Sequence, residues 1–73
     1  MKKRQALRLL RVKYDLTQEQ MAERLGVDRG TYANIELGKR RGSIEFWETV
    51  QKEFNIPDAD MYALQRMGKV EED

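Results

Sequence analysis

The stretch Leu16-Thr17-Gln18-Glu19-Gln20-Met21-Ala22-Glu23-Arg24-Leu25-Gly26-Val27-Asp28-Arg29-Gly30-Thr31-Tyr32-Ala33-Asn34-Ile35-Glu36-Leu37-Gly38-Lys39-Arg40-Arg41 decides the reading of this chain. Thr17 followed three positions later by Gln20 is a capping box, a pair that satisfies the free N–H groups at the start of a helix. Met21, Ala22 and Leu25 give that helix an inward face, and Gly26 is the residue that ends a helix cheaply in the left-handed region. Val27 fills the corner. Asp28 can cap a second helix through its carboxylate, with Tyr32, Ile35 and Glu36 on its packed side and Gly38 as its stop. The pattern is helix, tight turn, helix. Small Ala22 lets the two helices approach closely, and Arg29, Gly30, Ala33, Asn34 and Leu37 are left as the outward face of the second helix.

Working outward, Leu7, Leu10 and Tyr14 recur at spacings of three and four among Lys3, Arg4, Arg8 and Arg11, which predicts an amphipathic helix over about residues 2–13. Leu16 packs the bend after it. Beyond the basic loop Lys39-Arg40-Arg41-Gly42, Ser43 can cap a fourth helix with Ile44, Trp47, Val50, Gln51 and Phe54 on one stripe. Trp47 and Phe54 are read as core. Ile56-Pro57-Asp58 restarts a fifth helix, with Met61, Leu64 and Met67 at intervals of three and the acidic Asp58 and Asp60 near its start. Gly68 is the expected stop. The expectation is an all-α, compact five-helix domain over residues 1–69 with a frayed acidic tail at 70–73. Leu9, Val12, Met61, Tyr62 and Met67 exceed what so small a core needs and are candidates for a dimer surface.

Composition narrows the chemistry. The chain has 73 residues, 14 Lys plus Arg against 13 Asp plus Glu, no cysteine and no histidine. Disulfides, thiolate metal sites, cysteine nucleophiles and imidazole acid–base catalysis are therefore excluded. Asp58, Asp60 and the terminal Glu71-Glu72-Asp73 have neither the fixed spacing nor the glycine pivot of a metal loop, so no metal, cofactor or enzymatic activity is expected. No apolar run approaches the roughly 18 residues of a membrane span, and the expected location is the cytoplasm. The near-neutral total hides polarity: residues 1–41 hold eleven basic and five acidic side chains, and residues 42–73 hold three and eight. The basic half should attract polyanions.

Leu16-Thr17-Gln18-Glu19, Ala22, Gly26-Val27 and Ile35-Glu36-Leu37-Gly38-Lys39-Arg40 resemble the lambda-repressor-like helix-turn-helix family of phage Cro and repressor DNA-binding domains, over about residues 5–67. The resemblance implies a five-helix domain and assigns roles. Gln18 would hold a DNA phosphate and brace the recognition helix, about residues 29–37. Arg29, Gly30 and Asn34 match base-reading positions, and Thr31, Lys39, Arg40 and Arg41 match backbone contacts. Arg11 and Glu36 match an ion pair between the first helix and the recognition helix. On chemistry alone, an arginine fork suits the two major-groove acceptors of guanine and an asparagine amide suits adenine. The alternatives are a solvated or phosphate-bound Arg29 and an Asn34 that never reaches a base.

The chain departs from the family at four places. Asp28 stands where Ser or Thr is usual and brings a negative charge near the phosphates. Gly30 offers no side chain and costs roughly 1 kcal/mol of helix propensity relative to alanine. Tyr32 replaces a common Val or Ile, so its hydroxyl needs solvent or a partner. Gly42 stands where proline is frequent. The leading expectation is a sequence-specific binder of double-stranded DNA, a transcriptional repressor of bacterial or phage type, bound as a homodimer to an inverted-repeat operator with half-sites about 34 Å apart. The alternative is a protein-interaction module of the same fold, such as an antitoxin or accessory subunit with a protein partner.

Overall fold

The computed structural model describes residues 3–66. They form α1 Gln5–Lys13, α2 Gln18–Leu25, α3 Arg29–Glu36, α4 Ile44–Phe54 and α5 Asp58–Gln65. Met67, Gly68 and the acidic tail lie outside the described residues.

Capping chemistry sets most helix ends. Thr17 Oγ1 accepts from the Gln20 N–H at 3.0 Å, while Gln20 Oε1 accepts from the Thr17 N–H at 2.9 Å. Asp28 Oδ1 accepts from the Thr31 N–H at 2.7 Å, and Ser43 Oγ from the Phe46 N–H at 3.0 Å. Gly26, at φ 74°, ends α2, and Gly38, at φ 85°, follows α3. The other two left-handed stops contain no glycine: Asp15 at φ 58° follows α1 and Asn55 at φ 55° caps α4. Asp and Asn are the residue types whose short polar side chains make this region tolerable. The first helix starts later than its periodicity predicts, at Gln5: Arg4 has non-helical backbone angles, φ −86° and ψ 80°, and its N–H, which no helical turn could satisfy, donates to the Glu36 carbonyl at 2.9 Å.

One core unites the helices. Leu7, Met21, Tyr32, Ile35 and Val50 are its most deeply buried members, joined by Ala22, Leu25, Phe46, Trp47, Phe54, Met61 and Leu64. α2 packs on α3 and α4, and α1 packs on α5 and α3. Two expectations are corrected here. Ile44 is 75 % exposed and Phe46 takes its place in the core: Ile44 is the first residue of α4, and burial begins only at Phe46 and Trp47. Phe46 instead meets the Trp47 ring edge-on at 5.0 Å and lies 6.4 Å from the Tyr32 ring. Met61, a candidate for a dimer surface, is buried in the core, whereas Leu9, Val12 and Tyr62 are exposed. Tyr14 is also exposed, with its ring closing over Phe54 at 4.9 Å.

Gly42 explains the path of the basic loop. Its φ is +84°, and a Cβ there would lie 2.8 Å from Trp47 Nε1. Proline, fixed near φ −65°, cannot adopt this conformation, so the chain turns onto α4 by laying bare backbone against the indole.

Candidate nucleic-acid interface

The candidate surface is built on α3, and a buried carboxylate fixes that helix from behind. Glu36, in the last turn of α3, is 5 % exposed. Its Oε2 accepts from Arg11 Nε at 2.9 Å and from the Tyr32 hydroxyl at 2.8 Å. Its Oε1 accepts from Gln18 Nε2 at 2.8 Å and, more weakly, from Arg11 Nη2 at 3.4 Å. One carboxylate thus gathers α1, the start of α2 and the preceding turn of α3. Arg11 Nη1 also donates to the Leu16 carbonyl at 2.9 Å, tying the bend before α2 into the same cluster.

Charge and burial compete at this cluster. Burial by itself would push the Glu36 pKa up, but hydrogen bonds from Arg11, Gln18 and Tyr32 outweigh it and hold the group below the usual carboxylate value. Arg11 moves upward because its guanidinium is hydrogen-bonded to Glu36, against a smaller opposing effect of burial. Burial, reinforced by the Glu36 charge, pushes the Tyr32 phenol far up, so it remains a donor. The partner required by the buried Tyr32 ring is therefore Glu36. No buried side-chain nitrogen or oxygen among the described residues is left unpaired.

With its inner side locked, α3 presents its opposite side. Arg29 and Gly30 are exposed, and Thr31, Ala33, Asn34 and Leu37 are half-buried. Gln18, at the first position of α2, spends one amide hydrogen on Glu36; an amide carries two, so the second remains for another acceptor. Lys39, Arg40 and Arg41 are exposed. Their loop folds back on α3, where the N–H groups of Lys39 and Arg40 donate to the Asn34 carbonyl at 2.8 and 3.2 Å. The Asp28 carboxylate is held below its ordinary pKa chiefly by the Thr31 hydrogen bonds, with a lesser pull from the Arg40 charge. The helix start and the basic loop therefore share one electrostatic neighbourhood.

One residue of this region escaped the sequence reading. Arg4, placed there with Lys3, Arg8 and Arg11 among the basic residues around the apolar stripe of the first helix, is 5 % exposed and bonds to the carbonyls of Ile35, Arg40 and Gln65. Burial lowers its pKa. No periodicity announces such a residue, because its partners are main-chain atoms distant in sequence.

Two short helices joined at a glycine corner, the second braced from behind, open in front and flanked by cations, define a helix-turn-helix DNA-binding domain. Comparison with known proteins agrees: residues 5–66 match the helix-turn-helix domain family. The chain is 36 % identical over 55 residues to the cryptic phage CTXphi transcriptional repressor RstR of Vibrio cholerae, covering 75 % of this chain and 50 % of that protein. It is 34 % identical over 59 residues to an uncharacterized HTH-type transcriptional regulator of Archaeoglobus fulgidus, covering 81 % of this chain and 84 % of the relative. A second such regulator of that organism is 32 % identical over 59 residues, covering 81 % of this chain and 83 % of the relative. No solved structure matches the chain significantly. The chain belongs to the Cro/repressor-like helix-turn-helix family of transcription regulators. Among the described residues, no three metal-binding side chains gather into a site, and no helix is long and apolar enough to cross a membrane.

Proposed function

We propose that the chain is a sequence-specific double-stranded DNA binder that represses transcription by occupying an operator in the cytoplasm, and that it acts by binding alone, without turnover. The start of α3 enters the major groove. Arg29 and Asn34 read bases, Gly30 brings the helix backbone close, and Gln18, Thr31, Lys39, Arg40 and Arg41 hold the sugar-phosphate backbone. Two copies bind an inverted repeat, since one recognition helix supplies too few base contacts for an operator. The observation that carries this reading is the outward face of α3, locked from behind by the Glu36 cluster and set beside the exposed Lys39–Arg41 loop. The Vibrio relative bears the name of a transcriptional repressor, which supports the direction of regulation.

Selection of bound sequences from a random duplex pool, with the wild type, Arg29→Ala and Asn34→Ala at two salt concentrations, tests the proposal. The expected result is an enriched inverted repeat whose half-site preference relaxes at different positions in the two variants. Absence of any enriched sequence, with residual binding lost in salt, would transfer the fold to protein interaction of the antitoxin or accessory kind.

A further inference from the structure

Arg4 lies outside the helix-turn-helix, and the proposed DNA contacts do not use it. Its Nη1 donates to the carbonyls of Ile35 and Arg40, each at 2.7 Å, and its Nε donates to the carbonyl of Gln65 at 3.0 Å. The guanidinium lies 5.5 Å from the centroid of the Trp47 ring, within the range of a cation–π contact. Trp47 Nε1 in turn donates to the Arg41 carbonyl at 2.9 Å. Two consecutive carbonyls of the basic loop are therefore held by one stacked pair, while the N–H groups of Lys39 and Arg40 are held by the Asn34 carbonyl of α3. The close approach of Gly42 to the indole completes the seat.

The geometry points to Arg4 as a positioning residue for DNA binding: with Trp47 it presets the main chain of Lys39, Arg40 and Arg41, and it ties that loop to the end of α5. The inference rests on the DNA-binding reading above. A buried guanidinium does not meet the duplex, so Arg4 acts only through the loop. Preset main chain lowers the ordering cost of three long cationic side chains when they engage phosphates. A planar fork can serve several carbonyls at fixed angles, which the compact ammonium of lysine cannot reproduce.

A double-mutant cycle on the operator found by selection tests this. Arg4→Met and Arg4→Lys are each combined with the loop variant Lys39→Ala/Arg40→Ala/Arg41→Ala and measured at a temperature where circular dichroism shows all proteins folded. Each Arg4 variant is expected to weaken binding about tenfold, the scale of ordering one or two side chains, and to cost less than about twofold once the loop charges are gone. An equal loss in both backgrounds, or wild-type affinity in Arg4→Lys, overturns the positioning role. Should the Arg4 variants fail to fold, Trp47→Phe keeps an aromatic ring, though a smaller one, and deletes the donor to Arg41. It is expected to weaken binding about threefold only when the loop is intact, and unchanged binding would sink the inference.

Amide exchange supplies a readout that needs no DNA. In the Arg4 variants, exchange should quicken at Lys39 and Arg40, and also at Arg66, whose N–H bonds the Tyr62 carbonyl in the last turn of α5 at 3.1 Å. Unchanged protection at Lys39 and Arg40 overturns the role. If the loop variant binds DNA like wild type, Lys39, Arg40 and Arg41 are not part of the interface and the positioning role for DNA binding fails, while the exchange result still decides whether Arg4 sets the loop. Failure of the DNA-binding reading shows separately, as a selection that enriches no sequence.

Discussion

Arg11 Nε meets Glu36 Oε2 at 2.9 Å, with the arginine side chain 15 % exposed and the glutamate side chain 6 % exposed. The pair joins the first helix to the last turn of α3, and the carboxylate also serves Gln18 and Tyr32. An intact pair of this kind says little about net stability, but removing one partner leaves the other desolvated and uncompensated. Glu36→Gln is therefore expected to destabilise the fold by about 2–3 kcal/mol, below the range for fully buried pairs because Arg11 keeps some contact with water. Urea unfolding should show a lower midpoint at an unchanged slope; a midpoint within error of wild type would contradict the bracing role of the cluster.

The same cluster makes stability depend on acid. The folded-state pKa of Glu36 lies below the carboxylate's usual 4.5. Its contribution is therefore complete above the unfolded value and is lost as pH falls through the lower folded value. The stability gap between wild type and Glu36→Gln should be widest near pH 7 and close progressively below about pH 4.5. Tyr32→Phe, which deletes one donor to the carboxylate, should raise the Glu36 pKa and shift that loss toward higher pH. Carboxylate titration by NMR checks the shift, and a Glu36 titrating at or above its ordinary value would refute the argument.

How much of this was legible in the sequence depends on how local the cause is. Thr17 with Gln20, Asp28, Ser43 and Gly26 act within a few residues of themselves, so the caps and corner they form can be read directly. The stops at Asp15 and Asn55 carry weaker signatures, because Asp and Asn occupy many other positions at no cost. Periodicity placed Trp47, Val50 and Phe54 inside but also Ile44, since a repeat of three and four carries no record of where the helix leaves the body. Arg4 and Trp47 were the least legible members of the site. Their bonds to Gln65, Ile35, Arg40 and Arg41 depend on tertiary packing that brings both ends of the domain together. The residues proposed to touch DNA were named from the family pattern, whereas their support by the Glu36 cluster emerges from distances.

Two glycines that look alike in the sequence should respond in opposite directions. A Cβ at Gly30 would meet only Asp28 Oδ1, at an ordinary 3.5 Å. Gly30→Ala should therefore stabilise the protein by about 1 kcal/mol through helix propensity. At Gly42, with φ +84°, a Cβ would lie 2.8 Å from Trp47 Nε1 and 3.2 Å from the Phe46 ring. Gly42→Ala should cost about 2 kcal/mol or more from backbone strain and displacement of the indole. Thermal unfolding of the pair checks both, and the expected order is Gly30→Ala above wild type above Gly42→Ala.

Salt separates the cations proposed to hold the DNA backbone from the side chains proposed to read bases. Each phosphate neutralised on duplex DNA contributes about 0.9 to the slope of log affinity against log salt. Alanine at Lys39, Arg40 and Arg41 together should therefore flatten the slope by about 2.7 and weaken operator and unrelated duplex alike. Asn34→Ala removes no charge. It should leave the slope unchanged while cutting the preference for operator over a duplex altered at the contacted base, by about 1–3 kcal/mol if the amide pairs with adenine. Fluorescence anisotropy titrations from 50 to 200 mM salt, a range over which about six to ten phosphate contacts would change affinity by about 10³–10⁵, resolve both effects. A loop variant with the wild-type slope would remove Lys39, Arg40 and Arg41 from the interface. An Asn34 variant with undiminished base preference would leave Arg29 as the reader on α3.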